Sequence, residues 1–353
     1  MNPSPFLLFI PAYGQGGTGE LVRCITLAAA VLRRWPAARI EFLLHGGPDT
    51  LQKTPFINHC HGDDGSNKEQ FNNREIAKLR PDLVVFDGGI RPSSLALCHR
   101  LGIRSAYLSH HAKARRKAFR LAGLRQLDAH WHQCDADGGV LPPPLRLLDF
   151  LSNTERLSFD ICLATPPASN DDLPAEVLAL IATPYVLLSP GGGGYRLKGQ
   201  WVGDLFVEVA ERLHAASGIA CLTILGPLHE GLVRTRHTLA IKQVSPGRLV
   251  ALMRGATLVV ANGAGSMGEA AACGCPVVAA PLGAVDQPAR IAAYAAAGRV
   301  QPAQPTLESL NEQALLLLAP ARNAAQRQRL AESQMVDGIP LMCESIARLL
   351  SAR

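Results

Sequence analysis

The stretch VVANGAGSMGEAAACGCPVVAAPLGAVDQPAR, residues Val259–Arg290, decides the fold of this chain. An apolar run at Thr257–Ala261 stops at an Asn-Gly pair. The small, helix-forming residues of Ser266–Cys273 follow and give way at Gly274. This pattern predicts a buried strand, a tight glycine turn and a helix.

A second strand and helix follow directly. The apolar run Pro276–Ala280 is broken by Pro281 and Gly283, and Asp286 and Gln287 stand at the start of another predicted helix. Two strand ends and two helix starts are therefore aimed at one region. Glycines let backbone N–H groups approach an anion, and the first turn of a helix offers unpaired N–H donors and a positive dipole end. We expect a phosphate to bind there.

Side chains of the same segment suit a nucleotide-sugar. Glu269 lies one turn into the helix, where its carboxylate can accept hydrogen bonds from the vicinal hydroxyls of a ribose, and Asp286 and Gln287 can hold sugar hydroxyls in the same way. The alternative is a generic strand-turn-helix whose glutamate favours the helix dipole. The predicted donor-binding residues here are Gly263, Gly265, Ser266, Met267, Glu269, Asp286 and Gln287.

The residue pattern of this segment resembles a known sequence motif. A glycine turn, Ser-x-x-Glu-Ala-Ala-x-x-Gly-x-Pro-x-x-x-x-Pro and then Asp-Gln is similar to the donor-binding motif of GT-B glycosyltransferases. The similarity is greatest to the N-acetylglucosaminyltransferases that act on lipid I in peptidoglycan synthesis and to the related UDP-sugar hydrolases of pseudaminic acid synthesis. The resemblance implies an α/β protein of the GT-B class, with two Rossmann-like domains whose parallel sheets face a central cleft.

Length and composition agree with two soluble domains. The chain has 353 residues, of which 48% are hydrophobic, 18% charged and 5% aromatic. The formal net charge of +6 suits an acidic substrate such as a nucleoside diphosphate, or anionic lipid, and is too weak to indicate a nucleic-acid partner.

The N-terminal apolar run has the length of a strand, so we expect neither a signal peptide nor a membrane span. The nine cysteines are scattered, and Cys273 and Cys275 are the only close pair. Because no second pair completes a zinc pattern, we expect reduced, cytoplasmic thiols and no metal. The resemblance implies a bacterial enzyme that needs no cofactor.

A glycine-rich turn also opens the chain. The predicted strand Phe6–Tyr13 is followed by Gly14–Gly19 and by a predicted helix at Glu20–Arg34. A dinucleotide-binding fold places an acidic residue after the second strand to hold the ribose. Here the second strand, Arg39–Leu44, ends in His-Gly-Gly, which argues against NAD.

The resemblance implies that this first turn faces the acceptor, and many relatives carry a histidine where this chain has Glu20. Arg23 and Cys24 resemble the Gly-x-Gly-His-x-x-Arg-Cys pattern of the hydrolases. A carboxylate can also serve as general base, so Glu20 is a catalytic candidate; the alternative is a first-turn acid that favours the helix dipole. The predicted acceptor-side residues are Gly16, Gly17, Thr18, Gly19, His110 and His111.

Asp87 is a second catalytic candidate. It ends the predicted strand Pro81–Asp87, and the carboxyl edge of a parallel sheet carries the ligand crevice. Asp87 either takes the acceptor's proton or orients the group that does so; the alternative is a cap for the helix predicted at Pro92–Arg100. Residues 58–74 are polar and poorly periodic, and they predict a mobile connection before a helix toward Leu79.

A strand at Ile103–Leu108 precedes His110 and His111, which an acceptor can reach or which form an inert surface pair. The basic segment 113–125, predicted as one helix, sets cations beside a modest apolar strip. Such a helix contacts an anionic membrane face or an anionic acceptor, or is simply a solvated helix. We therefore allow peripheral attachment at the inner membrane face.

The second half repeats the plan of the first. Residues 165–174 have the composition of a linker, and the predicted strand Tyr185–Ser189 leads into four consecutive glycines and a helix predicted at Lys198–Ser217. The resemblance places the donor diphosphate near Gly191, Gly192, Gly193 and Gly194. We predict an acceptor-binding domain at 1–168, a donor-binding domain at 175–335 and a helix at 336–353 that packs back on the first domain.

These observations predict a hexosyl- or N-acetylhexosaminyltransferase that uses a nucleoside diphosphate donor, UDP-linked by resemblance, with inversion and without metal. The acceptor is a glycan, a lipid-linked molecule or a protein, in keeping with a role in cell-envelope glycan synthesis. The alternatives are a UDP-sugar hydrolase of the pseudaminic-acid-pathway type and a non-catalytic nucleotide-sugar-binding protein.

Overall fold

A computed structural model describes residues 4–12, 18–45, 54–61, 67–134, 141–170, 172–231 and 233–351. The chain divides into two compact units. Unit 1 comprises Met1–Tyr13, Glu20–Cys162 and Val336–Arg353, and unit 2 comprises Gly14–Gly19 and Leu163–Met335. In the described ranges no helix is long and apolar enough to cross a membrane.

The elements before residue 163 are, in chain order, β1 (Phe6–Pro11), α1 (Gly19–Arg34), β2 (Arg39–His45), β3 (Ile57–His61), α2 (Lys68–Leu79), β4 (Leu83–Asp87), α3 (Pro92–Arg100), β5 (Arg104–Ser109), α4 (Ala112–Ala118), α5 (Leu121–Gln126), β6 (Ala129–Gln133), α6 (Pro143–Phe150) and β7 (Glu155–Phe159). The later elements are α7 (Ala175–Ile181), β8 (Tyr185–Ser189), β9 (Arg196–Leu197), β10 (Gln200–Trp201), α8 (Val202–Ser217), β11 (Ala220–Ile224), β12 (Leu239–Ile241), α9 (Pro246–Gly255), β13 (Leu258–Asn262), α10 (Gly265–Ala272), β14 (Val277–Ala280), α11 (Gln287–Ala296), β15 (Gln301–Pro302), α12 (Leu307–Leu318), α13 (Pro320–Glu332) and α14 (Gly338–Ser351).

Unit 1 is built on a parallel sheet whose described strands have the order β3-β2-β1-β4-β5-β6-β7. The central strands β1 and β4 read FLLFIP and LVVFD and are buried along their whole length. Such unbroken apolar runs are expected of strands that helices cover on both faces. Helix α14 covers part of one face: Ile339, Met342 and Ile346 join the core, and Trp131 Nε1 donates a hydrogen bond to Ser345 Oγ at 3.0 Å.

Unit 2 is built on a second parallel sheet, with described strands in the order β12-β11-β8-β13-β14-β15. Strands β8, β13 and β14 are completely buried. The short strands β9 and β10 form a separate antiparallel hairpin just before α8. The helix predicted from Lys198 therefore begins only at Val202.

Two other local predictions were wrong. Within 58–74, β3 pairs in parallel with β2, and α2 begins after Asn67, which forms a capping box with Gln70. A polar strand is tolerated there because β3 lies at the sheet edge, where His59 Nε2 meets the buried Glu41 carboxylate at 2.6 Å.

The basic segment 113–125 forms two short helices, α4 and α5, and not one. The chain turns at Phe119. Phe119 and Ala118 are buried in the core, so these apolar residues pack inward and do not form a surface strip. Arg115 is likewise buried, whereas Lys113, Arg116 and other cations of the segment stay exposed.

Candidate functional site

Each parallel sheet has one point at which successive strands are added on opposite sides, and ligands of open α/β sheets bind at the carboxyl ends of the strands at this point. In unit 1 the point lies between β1 and β4, where Pro11 is paired with Asp87. In unit 2 it lies between β8 and β13, where Ser189 is paired with Ala261. The predicted site residues gather at these two places.

In unit 1, Asp87 ends β4 with no exposed surface, and Arg23 of α1 binds its carboxylate twice. Arg23 Nη2 donates to Oδ1 at 2.8 Å and Nε donates to Oδ2 at 3.1 Å, the paired geometry that suits a guanidinium. Burial raises the pKa of Asp87 to about 7, although the charge of Arg23 acts in the opposite direction. Asp87 is thus enclosed and held by two hydrogen bonds from Arg23.

Glu20 and His110 adjoin this ion pair, and 19% of each side chain is exposed. Arg23 Nη2 lies 3.2 Å from His110 Nδ1, and His110 Nε2 lies 3.4 Å from Glu20 Oε1. Glu20 Oε1 also lies 3.8 Å from Arg23 Nη2. Glu20, Arg23, Asp87 and His110 thus form one connected group, which we name the Glu20 cluster.

Neighbouring groups shape the Glu20 cluster. A Cβ atom on Gly88 would lie 3.2 Å from Glu20 Cγ, so glycine leaves room for the Glu20 side chain. The Gly88 carbonyl accepts a hydrogen bond from Lys117 Nζ at 3.2 Å. Cys24 Sγ lies 3.9 Å from Asp87 Oδ2, and burial, helped by the charge of Asp87, raises the pKa of this thiol well above its usual value. Cys24 is therefore a neutral thiol.

The other predicted acceptor-side residues differ in position and in how far the structure describes them. His111 Nδ1 accepts a hydrogen bond from the Ala114 amide at 3.0 Å and caps α4, which explains its position without a ligand. Thr18 is buried and Gly19 opens α1. Gly16 and Gly17 lie outside the described residues.

In unit 2, the four glycines after β8 lie against the loop that follows β11. The Leu228 amide donates to the Gly192 carbonyl at 3.0 Å, and Gly191 and Gly193 both have positive φ. A Cβ atom on Gly226 would lie 2.3 Å from the Gly191 carbonyl oxygen. The two loops can approach this closely only because glycine stands at Gly226. Gly194 completes the loop.

Neutral polar side chains end the central strands of unit 2. Ser189 Oγ lies 3.3 Å from Ser266 Oγ, so the end of β8 meets the first turn of α10. Asn262 is 2% exposed, and within the described ranges its Oδ1 has no hydrogen-bond partner. Asn262 Nδ2 packs directly beside Gly191. We predicted Asn262 only as a turn residue; its position as a polar group at the end of a buried strand was the available signal.

The remaining predicted donor-side residues lie around α10 and at the start of α11. Gly263, Gly265 and Glu269 lie at the end of β13 and in α10. The Met267 side chain is fully buried in the core, which leaves only its backbone for a ligand.

Gln287 is also fully buried, and its Oε1 accepts hydrogen bonds from the Leu282 and Gly283 amides at 2.5 and 3.2 Å. This oxygen therefore holds the loop before α11. Asp286 is paired with Arg290 at 2.6 Å, and Arg290 also donates to the Gly263 carbonyl at 3.4 Å. In the described part of the chain, no group of three or more His, Cys, Asp or Glu residues is arranged to hold a metal ion.

Comparison with known proteins finds no matching family model and no matching curated protein. Solved structures do match over almost the whole chain. The glycosyltransferase SnogD from Streptomyces nogalater is 16% identical, with a TM-score of 0.60 over 98% of this chain and 99% of that one.

Two further matches were solved with ligands. Phytolacca americana UGT2, complexed with UDP-2-fluoro-glucose and pterostilbene, is 11% identical, with a TM-score of 0.65 over 99% of this chain and 100% of that one. The spinosyn rhamnosyltransferase SpnG, complexed with thymidine diphosphate, is 16% identical, with a TM-score of 0.61 over 96% and 98%. The chain therefore has the GT-B fold, and the predicted fold class of two parallel-sheet α/β domains is confirmed.

Proposed function

We propose that this protein is a glycosyltransferase that moves a sugar from a nucleoside diphosphate, in the first instance UDP, to an acceptor hydroxyl with inversion and without metal. The observation that carries the proposal is the contrast between the two strand-end sites of a GT-B chain. One site holds a partly exposed carboxylate within a charged cluster, and the other offers glycines and neutral donors.

The unit 2 site suits the donor. A diphosphate brings its own negative charge, so backbone N–H groups at Gly191–Gly194 and at the start of α10 stabilise it without an opposing side chain. Ser189, Asn262 and Ser266 add neutral hydrogen-bonding groups at the same sheet edge. Glu269 is assigned to the ribose hydroxyls.

The unit 1 site suits proton transfer. In the proposed step the acceptor hydroxyl passes its proton to Glu20 while its oxygen forms a bond to the anomeric carbon. The bond between that carbon and the phosphate oxygen breaks, and its electron pair leaves with the nucleoside diphosphate. Asp87 orients Arg23 through the buried ion pair.

The test is release of nucleoside diphosphate by the purified protein from a panel of UDP- and TDP-sugars, first without acceptor and then with cell extract. We expect extract-dependent release, with the KM for the donor raised about tenfold in Glu269→Gln, the equivalent of one lost hydrogen bond. The control is Glu308→Gln, an exposed first-turn acid of α12. No release from any donor, together with no shift in melting temperature, would overturn the donor assignment.

A second candidate is hydrolysis of a UDP-sugar, with water as acceptor. It is favoured by the Gly-Glu-x-x-Arg-Cys segment at 19–24, in which Arg23 and Cys24 both contact Asp87. Release of diphosphate that does not depend on extract would support the hydrolase, and dependence on extract would support the transferase.

We further propose that unit 1 contacts an anionic membrane face, with the enzyme in the cytoplasm. Helix α6 exposes an apolar stripe of Leu147, Phe150 and Leu151, which are 62%, 86% and 69% exposed. Arg156 links this helix to the basic segment, because it pairs with Asp149 and packs over the Phe119 ring at 4.1 Å. A unit that exposes both an apolar stripe and the cations of the basic segment suits an anionic interface.

Co-sedimentation with vesicles of phosphatidylglycerol and of phosphatidylcholine tests this contact. We expect binding to the anionic vesicles only, and at least a threefold loss of binding in Phe150→Ser. The matched control is Val285→Ser, which changes an equally exposed apolar residue in unit 2. Equal binding of the wild type and Phe150→Ser would overturn the assignment.

A further inference from the structure

His110 is the least explained member of the Glu20 cluster. It follows β5, a strand that does not carry Glu20, Arg23 or Asp87, yet its ring lies between Arg23 and Glu20. Its neighbour His111 faces α4 as a helix cap. Sheet topology therefore places one imidazole, and not the pair, beside the carboxylate that the proposed function uses.

The contact with Arg23 decides which ring nitrogen carries the proton. A guanidinium can only donate hydrogen bonds, so His110 Nδ1, at 3.2 Å from Nη2, must act as an acceptor. The proton of the neutral ring then sits on Nε2, which lies 3.4 Å from Glu20 Oε1. Arg23 is itself held by its two bonds to the buried Asp87 carboxylate. Orientation is thus transmitted from Asp87 through Arg23 and His110 to Glu20.

We propose that His110 is a positioning residue for Glu20: its Nε2–H binds Oε1, so that Oε2 is turned to receive the proton of the acceptor hydroxyl. This inference rests on the proposed function. The contact of 3.4 Å is long for a hydrogen bond, and such contacts tighten when the substrate complex forms. Glu20 accepts the proton, and the imidazole keeps its own proton throughout.

Two substitutions test the two hydrogen bonds of His110 separately. His110→Gln places an amide N–H near the position of Nε2 and keeps a donor for Glu20. His110→Asn keeps an acceptor near Nδ1 for Arg23 but does not reach Glu20. We expect His110→Gln to retain kcat within about tenfold and His110→Asn to lower kcat about 100-fold, with little change in the KM for the donor. His99→Gln, an exposed histidine in the last turn of α3, serves as the control.

A double-mutant cycle tests whether His110 acts through Glu20. In a Glu20→Gln background, His110→Asn should change the residual kcat less than threefold, because the group that it positions is already lost. Melting temperatures identify any variant that is simply misfolded.

The possible outcomes are distinct. Wild-type turnover with an unchanged kcat in His110→Asn overturns the positioning role and leaves the proposed function intact. Equal loss in His110→Gln and His110→Asn shows that the imidazole itself is required, which also overturns it, as does an undiminished effect of His110→Asn in the Glu20→Gln background. Absence of wild-type turnover with every donor is a failure of the proposed function instead.

Discussion

The central strands of the unit 1 sheet end at ionisable side chains, whereas the central strands of the unit 2 sheet end at glycines, hydroxyls and an amide. Asp87, Arg23 and Glu20 make the first site charged and closely paired. Ser189 and Asn262, which end central strands of the second sheet, are neutral. The charged residues of that site, Glu269 and the Asp286–Arg290 pair, belong to α10 and α11. In the proposed function the two sheet ends serve different needs: a proton acceptor must come from the protein, while a phosphate brings its own charge and needs only donors.

The largest expected effect comes from removing Glu20, the proposed proton acceptor of unit 1. Glu20→Gln preserves size and polarity but cannot take a proton, so kcat should fall about 10²- to 10⁴-fold with little change in the KM for the donor. Steady-state kinetics with the active sugar nucleotide measure this. Glu269→Gln in unit 2 should show the opposite pattern, and a matching pattern in the two variants would remove the proposed division of roles.

The next effect concerns the stability of unit 1. Asp87→Asn leaves the Arg23 guanidinium without its buried counter-charge and should cost about 3–5 kcal/mol of unfolding free energy at about pH 8.5, where a carboxyl with a pKa of about 7 is ionised. Urea unfolding followed by fluorescence in a Trp201→Phe background reports on unit 1, because the remaining tryptophans, Trp35 and Trp131, both lie there. A cost below about 1 kcal/mol would mean that the pair is not isolated from water as we describe it.

The glycine loop of unit 2 should be sensitive to shape. In Gly226→Ala the new Cβ atom would lie 2.3 Å from the Gly191 carbonyl oxygen, so the glycine loop must shift; we expect the KM for the donor to rise about tenfold or more. Gly199→Ala is the matched control, because Gly199 also has a positive φ but has no atom within 4 Å of the added Cβ. Similar losses in both variants would point to backbone strain and not to loop contact.

Unit 1 should also respond to pH through His130. Burial, followed by the charge of Arg156, lowers the pKa of His130 well below its usual value, and Arg156 donates to its Nδ1 at 3.0 Å. Below about pH 6.5 the unfolded chain therefore binds a proton at His130 that the folded unit does not, so the His130 contribution to stability falls by about 1 kcal/mol per pH unit as the pH falls. Asp87, whose pKa is raised to about 7, contributes with the opposite sign. His130→Gln should therefore make the unfolding free energy at pH 5.5, relative to pH 6.5, higher than in the parent, with both proteins in the Trp201→Phe background. An unchanged pH dependence would mean that His130 does not contribute to it.

The smallest effect is expected from an ion pair of unit 2. Asp286 is 46% exposed where it pairs with Arg290, so solvent screens the interaction, and Asp286→Asn should change unfolding free energy by about 0.5 kcal/mol. Fluorescence of Trp201, with Trp35 and Trp131 replaced by Phe, measures it. A cost as large as that of Asp87→Asn would erase the contrast between the two sites.

The elements of both sites were predictable from local sequence. The helix predicted at Ser266–Cys273 is observed at Gly265–Ala272, because a glycine turn between an apolar run and helix-forming residues is a strong short-range signal. The expected strands of the two sheet centres were found for the same reason.

The side-chain partnerships were not predictable in this way. Arg23 and Asp87 are 64 residues apart, and Asn262 meets Gly191 across two neighbouring strands, so both contacts depend on strand order and not on spacing. The sequence pattern also did not indicate that Gln287 Oε1 would accept a hydrogen bond from the loop before α11. The edge strand β3 was missed because its exposed side chains lack the apolar alternation that marks a strand.

The position of α14 has a consequence for how the protein is made. Unit 1 needs Ile339, Met342 and Ile346 to close its core, yet the ribosome adds them only after the whole of Leu163–Met335. During synthesis, unit 2 can therefore complete its fold while unit 1 still exposes the apolar face that α14 covers. A nascent chain that stalls before Gly338 exposes that apolar face to chaperones. We therefore expect the fraction of chains that fold correctly in the cell to depend on the synthesis of α14.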